Sequence, residues 1–203
     1  MKMIILFVMA GSGKWTQGKA LSEIFGWRWI ATGQMIRENG GYNEIIDKGN
    51  IIPDAAMIEM LEKALAVTDA EGYDVILDGF PRNAAQAEWL IRESGHKVDG
   101  GIVLEVPKEE LYNRLYMRAG LDGRVDDQEK SVIERRFEVF EEHIGGILEV
   151  FKKHGIPTAY VNGVGEEGVV TDRLVDKVQK MCPAAREQND DVNGGEIEKS
   201  YGE

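Results

Sequence analysis

The chain has 203 residues, 43% of them hydrophobic, which is enough for one α/β domain with a full core. Its formal net charge of −12 argues against a protein that coats nucleic acid or an anionic membrane, and no apolar run approaches the roughly 20 residues of a membrane span. The only cysteine, Cys182, permits neither an intramolecular disulfide nor a multi-cysteine zinc site, so we expect no zinc and a reducing, cytoplasmic setting.

The first motif follows an apolar run at residues 3–9 that is rich in strand-forming residues. The run leads into Gly11-Ser12-Gly13-Lys14, after which a helical pattern begins. Strand, glycine-rich turn and helix form the context of a phosphate-binding loop, in which backbone N–H groups, the helix N-terminus and a lysine hold an anion. An ordinary turn that caps a helix is the alternative for these four residues taken alone.

Two residues depart from the phosphate-loop pattern GxxxxGK[ST]. Val8 replaces the first glycine, which costs little if the backbone is still extended there and much more if φ is positive. Trp15 replaces a small hydroxyl residue, so its side chain starts out toward the metal and the β-phosphate. An indole must swing aside or obstruct this space, and we predict weakened activity that Trp15→Gly would raise.

The next elements are a short strand at residues 27–30 and a helix that Thr32 is expected to cap. A long amphipathic helix follows, with Asp54 as its expected cap. An apolar strand then ends at Asp78 and turns at Gly79-Phe80-Pro81. An acid at the carboxyl end of such a strand points into the ligand crevice of a doubly wound sheet, so Asp78 predicts a magnesium site, reached through water. A turn-forming Asp-Gly pair is the alternative.

The second half of the chain carries four arginines around a glycine-containing loop, namely Arg114, Arg118, Arg124 and Arg135. In an acidic chain, this clustering favours a phosphate-rich ligand, although any one of them could serve solubility alone. The pattern predicts a helix from residue 128 to about 142, and Gly145-Gly146 is expected to separate it from a further helix at 147–153. A last strand at 157–161, a helix at 167–181 and an acidic, disordered tail at 184–203 complete the prediction.

With these motifs together, residues 3–181 resemble the adenylate kinases, within the nucleoside monophosphate kinases. The most specific matches are Asp78-Gly79-Phe80-Pro81-Arg82 with Gln86, and Gly123-Arg124-Val125-Asp126-Asp127 followed by Arg135. The resemblance implies a three-layer α/β fold of the P-loop class, with five parallel strands in the order 2-3-1-4-5. It also implies one domain at 1–183, with an AMP-binding insert at about 31–60 and a short lid at about 119–127.

The resemblance further implies reversible phosphoryl transfer from MgATP to AMP, giving two ADP, in a monomer whose lid closes to exclude water. The ATP-binding residues would be Gly11, Ser12, Gly13, Lys14, Trp15, Thr16, Arg114 and Val164. The AMP-binding residues would be Thr32, Gly33, Arg37, Ile52, Met57, Gly79, Arg82 and Gln86. Catalysis would rest on Lys14, Arg82, Arg118, Arg124 and Arg135, with Mg²⁺ held by Asp78 through water.

Gln34 departs from the family, which usually has an aspartate there that organises the magnesium waters. Two alternatives therefore stay open beside the kinase. One is a nucleotide-binding protein whose catalysis is impaired by Trp15 and Gln34. The other is a UMP/CMP kinase, although Gln86 favours adenine.

Overall fold

The computed structural model describes residues 1–122 and 129–183. Its elements in chain order are β1 (Met3–Val8), α1 (Lys14–Phe25), β2 (Arg28–Ala31), α2 (Thr32–Asn39), α3 (Asn43–Ile46), α4 (Asp54–Ala70), β3 (Val75–Asp78), α5 (Ala84–Arg92), β4 (Gly100–Glu105), α6 (Lys108–Asp122), α7 (Lys130–Lys153), β5 (Thr158–Asn162) and α8 (Glu167–Met181). Within these described ranges, no helix is long and apolar enough to cross a membrane. Arg124, most of the predicted lid and the predicted tail lie outside the described residues.

The five strands form one parallel sheet in the order β2-β3-β1-β4-β5, which confirms the predicted order. β1 is the central strand, and Leu6 pairs with Asp78 on one side and with Ile102 on the other. Because helices cover both faces of a parallel sheet, its central strand is buried on both sides and has a continuous apolar sequence. The carboxyl ends of β1 and β3 therefore lie side by side. The glycine-rich loop follows β1, and the motif that begins at Asp78 follows β3.

The two faces of the sheet have separate cores, which gives the predicted three layers. Ile5 and Phe7 of β1 point to the face covered by α4, α5 and α7, where Phe7 meets Phe151 edge-to-face with the ring centroids 5.3 Å apart. Ile4 and Leu6 point to the opposite face, which α1 and α8 cover. The alternation follows from the two-residue period of a strand.

A third, smaller core joins the glycine-rich loop to the two helices that carry most of the predicted arginines. It contains Ala10 of the loop, Leu111 and Leu115 of α6, and Ile133 and Phe137 of α7, all buried. Packing at this point brings the basic residues of both helices toward the carboxyl end of β1.

The predicted break at Gly145-Gly146 is wrong, because α7 runs without interruption from Lys130 to Lys153. Ile147 and Phe151 follow the two glycines and are buried in the same core against which Phe140 and Ile144 pack before them. A glycine in a helix interior costs about 0.5–1 kcal/mol relative to alanine, whereas one buried large apolar side chain contributes about 1.5–3 kcal/mol. Packing therefore outweighs the local preference of the glycine pair.

Candidate phosphate-binding site

The loop after β1 is held in a closed turn. The Ser12 backbone N–H and hydroxyl both donate to the Met9 carbonyl, at 3.2 and 2.8 Å. Gly11 and Gly13 have φ angles of 83° and 86°, in the left-handed region that glycine adopts without strain. A Cβ at Gly11 would also lie only 2.8 Å from the carbonyl oxygen of Leu111, so this position accepts no side chain. The loop is thus preformed, with the N-terminus of α1 at its end.

The two departures from the loop pattern have separate outcomes. Val8 is the last residue of β1 and pairs with Leu104, so its backbone is extended and the missing glycine costs little. Trp15 has swung aside: its side chain is 60% exposed, and its ring meets the ring of Trp29 edge-to-face with centroids 6.5 Å apart. The indole was expected either to swing aside or to obstruct the space beside the loop, and in the structure it has swung aside.

Lys14 and Asp78 both lie at this edge of the sheet, and each acts on the pKa of the other. Burial lowers the pKa of Lys14 to about 8, and Asp78 opposes that shift. Burial also raises the pKa of Asp78, while Lys14 and then Arg82 act in the opposite direction. Asp78 is only 3% exposed, and its Oδ1 has no hydrogen-bond partner within the described part of the chain. The pair is therefore arranged to receive further polar atoms from a ligand.

An open cavity lies in front of this pair. Its walls come from the carboxyl end of β1, the segment Asp78–Arg82 and one face of α7. Positive charge surrounds it, since Arg136 and Arg118 both lower the pKa of Lys14, and Arg136 and Arg37 both lower the pKa of Arg82. This clustering of cations around one carboxylate suits a polyphosphate, whose oxygens arginine binds bidentately.

Arg136, which the sequence analysis did not name, lies on the face of α7 that lines the cavity. Arg135 is exposed; its Nε donates to Asn50 Oδ1 at 3.1 Å and its Nη1 donates to Glu138 Oε2 at 3.4 Å. The cavity face of the helix comprises Arg136, Val139, Phe140, His143, Ile144 and Ile147. These positions follow the i, i+3, i+4, i+7 spacing of one helix face. That periodicity was the signal in the sequence that could have selected Arg136.

Thr32 and Gly79 meet directly beside Asp78. The Thr32 hydroxyl donates to the Asp78 carbonyl at 3.2 Å, so Thr32 does not cap α2 as predicted; it is the first residue of that helix, and Ala31 precedes it as the cap. Gly79 has a φ of 83°, and a Cβ there would lie 2.5 Å from the Thr32 hydroxyl oxygen. Both reasons require glycine at this position.

Gln86 is buried in a network that fixes the segment after β3. Its Oε1 accepts from the Arg82 backbone N–H at 2.7 Å, and its Nε2 donates to Asp54 Oδ1 at 2.7 Å. Asn83 caps α5 through Gln86 and also donates to Asp54, at 3.0 Å. Asp54 was expected to cap α4, but no side-chain cap bond forms in that helix. Its carboxylate instead accepts from the side-chain amides of Asn83 and Gln86. The sequence prediction did not identify Asp54 as part of the site.

The comparisons with known proteins agree on one family. A sequence model of the family described as "Adenylate kinase" matches residues 6–156. The chain is 34% identical over 195 residues to the adenylate kinase of Micrococcus luteus, covering 91% of this chain and 94% of that protein. It is 34% identical over 182 residues to that of Thermus thermophilus (84% and 94% covered) and 39% identical over 173 residues to that of Maricaulis maris (80% and 90% covered).

The chain belongs to the adenylate kinase family. It is therefore a nucleotide-binding transferase that moves a phosphoryl group between ATP and AMP.

The residues that the resemblance assigns to AMP lie on α2, in and just before the first turn of α4, and between β3 and the first turn of α5. Arg37 Nη1 donates to the Gly33 carbonyl at 3.0 Å within the first turns of α2. Ile52 and Met57 are 3% and 4% exposed and belong to the core on the α4 side of the sheet. Gln34 is exposed, and its amide donates to Glu38 at 2.8 Å rather than turning toward Asp78.

Two of the residues that the resemblance assigns to ATP, Arg114 and Val164, lie close together at the other end of the sheet edge. Arg114 Nη2 donates to the Gly163 carbonyl at 3.4 Å, next to Val164, which is 39% exposed. Arg173 fixes the same turn, because its Nη1 donates to the carbonyls of Asn162 and Val164 at 2.9 and 2.8 Å. The sequence analysis missed Arg173, which has no motif to mark it.

Asp78 fits the magnesium ion that accompanies ATP in this family. Among the described residues, no group of three or more histidine, cysteine, aspartate or glutamate side chains could hold a metal ion by itself. Mg²⁺ keeps several waters and commonly binds through one or two carboxylates plus substrate phosphates. The unsatisfied Oδ1 of Asp78 is an oxygen of the kind that such a hydrated ion requires.

Proposed function

We propose that this chain transfers the γ-phosphoryl group of MgATP to AMP at the cavity in front of Asp78. ATP phosphates would lie along residues 11–16, and the AMP phosphate would lie between Arg37 and Arg82. The observation that carries the proposal is the meeting of Lys14, Arg82 and Arg136 around one buried carboxylate, at the carboxyl edge of a parallel sheet.

The chemistry needs position and positive charge more than it needs a base. The attacking phosphate oxygen of AMP is already an anion, so no side chain has to remove a proton from it. Lys14 and the arginines would hold the two phosphates in line and stabilise charge on the equatorial oxygens of the transferring group. We assign this role to Arg82, Arg118 and Arg136, and give Arg136 the place first predicted for Arg135.

Asp78 would hold Mg²⁺ through water molecules. The ion would supply positive charge against the negative charge that develops on the phosphates during transfer. Arg114 and Val164 would hold the adenine of ATP, and Gln86 would face the adenine of AMP. Closure of the short lid predicted at about residues 119–127 would exclude water, which prevents simple hydrolysis of ATP.

The outward position of Trp15 supports an active enzyme over the alternative of a nucleotide-binding protein with impaired catalysis. Gln34 does not argue against this reading, because a hydrated ion needs only one protein carboxylate when phosphates supply other ligands. The UMP/CMP kinase is kept as the second candidate for the acceptor, since Gln86 is the main residue that favours adenine.

The test is ADP formation from MgATP with AMP, UMP or CMP as acceptor, followed in a coupled assay. We expect AMP to be preferred in kcat/KM by at least about 100-fold, the discrimination that a hydrogen-bonding base site can provide. A preference for UMP or CMP would move the chain to the second candidate. Binding of AMP without ADP formation from any acceptor would support the impaired protein instead.

A further inference from the structure

Trp15 occupies a position from which it could reach the ATP phosphates. It is the second residue of α1 and directly follows Lys14. Side chains on a helix lean toward its N-terminus, which here is the phosphate-binding loop. The indole nevertheless lies 60% exposed to solvent, against Trp29. Something other than the local backbone therefore sets its direction.

Trp29 is itself fixed, and the sequence of α1 provides the place for it. Gly18 is buried one turn after Trp15, and a Cβ there would lie 2.4 Å from Cε2 of Trp29. The Trp29 indole thus lies directly on the helix backbone, on the helix face that Trp15 shares because the two positions are three residues apart. Any side chain larger than that of glycine at position 18 would displace it.

The two rings meet at 78°, with their centroids 6.5 Å apart, which is the edge-to-face arrangement favoured by aromatic pairs. The Lys19 ammonium lies 5.4 Å from the centroid of the Trp15 ring and adds a cation–π contact on the solvent side. The indole makes both contacts in its observed direction, away from the loop. They favour that rotamer over one that leans on the phosphates.

We propose that Trp29 is a positioning residue, which holds the Trp15 indole away from the phosphate-binding loop and so keeps the ATP site open. The inference rests on the proposed binding of ATP at residues 11–16. It makes Trp15, Gly18 and Trp29 one unit, in which the glycine seats the second tryptophan and the second tryptophan restrains the first.

The test compares Trp29→Leu in the unsubstituted chain and in a Trp15→Gly chain, with the Kd for ATP and for AMP measured separately by calorimetry. Leucine keeps much of the apolar volume of Trp29 but loses the ring. In the unsubstituted chain, Trp29→Leu should raise the Kd for ATP by about 3- to 10-fold, the population change that one aromatic pair can contribute. In the Trp15→Gly chain, the same substitution should change it by less than about twofold. Trp29→Phe, which restores an aromatic ring, should recover most of the loss.

AMP provides the internal control, because β2 carries Trp29 and leads directly into Thr32 of the AMP site. A purely structural effect of Trp29→Leu would weaken AMP binding, or would weaken ATP binding equally in both chains; either result would overturn the proposal. An unchanged Kd for ATP in the unsubstituted chain would overturn it as well. If the unsubstituted chain binds AMP but no ATP, the proposed function itself fails, and with it this inference.

Discussion

Lys14 illustrates how burial gives a single residue a property that its sequence motif does not reveal. The glycine-rich loop predicted a lysine that binds phosphate, but not that burial would lower its pKa to about 8. A lysine with that pKa is mostly charged at neutral pH and loses its charge as the pH rises above about 8. Phosphate binding favours the charged form, so binding and protonation are linked.

We predict that ATP affinity, measured without AMP, falls as the pH rises above about 8. Below the pKa, Lys14 is already charged in the free protein; above it, binding must also take up a proton, so affinity should fall by up to about tenfold per pH unit. Phosphate groups, with a second pKa of about 6, do not change charge in this window. Calorimetry between pH 7.5 and 9.5 would measure the slope. Lys14→Met should bind weakly with little slope, and an equal slope in both proteins would contradict the assignment to Lys14.

Other residues show the limit of motif matching. The resemblance assigns Arg135 to the site, whereas helix periodicity over the following residues also indicates Arg136, which lines the cavity in the structure. Trp15 shows a different limit, since its orientation depends on Trp29, a residue 14 positions away whose packing on Gly18 no local pattern indicates. Local pattern thus identifies the residue type, and tertiary packing decides the direction.

At the level of helices and strands, most of the fold could be predicted. The apolar run of β1, the strand that ends at Asp78 and the helix at Glu167–Met181 were all recognisable from composition and period. The strand order came from the resemblance and is confirmed by the register. α7 was predicted as two helices because two adjacent glycines are a strong local signal, and only the buried residues on either side of them show that the helix continues.

We predict that Gly145→Ala raises the free energy of unfolding by about 0.5–1 kcal/mol, since alanine is favoured over glycine in a helix interior. Position 145 is exposed, and an added Cβ would meet nothing within 4 Å. Urea unfolding would measure the change. Gly155→Ala is the matched control: an added Cβ also meets open space there, but its φ of 67° should make alanine destabilising. A loss of stability in Gly145→Ala would contradict a continuous α7.

For the molecule as a whole, the informative contrast is between its net charge and its local charge. A chain with a formal charge of −12 brings Lys14, Arg82, Arg118 and Arg136 to one edge of its sheet. Composition alone could not predict this site, because the net charge of a chain does not say where its charged residues lie. The parallel sheet creates the site by ending β1 and β3 side by side, and the small core of α6 and α7 brings their arginines to it.

The central claim is that the phosphoryl-transfer site includes the face of α7 that carries Arg136. It is tested most directly by the kcat of ADP formation from MgATP and AMP in Arg136→Ala, with Arg135→Ala as the adjacent control. We predict that Arg136→Ala lowers kcat by about 100- to 1,000-fold, the effect of removing one donor to transition-state charge. Arg135→Ala should stay within about threefold, because its contacts to Asn50 and Glu138 are exposed. A larger loss in Arg135→Ala than in Arg136→Ala would contradict the account.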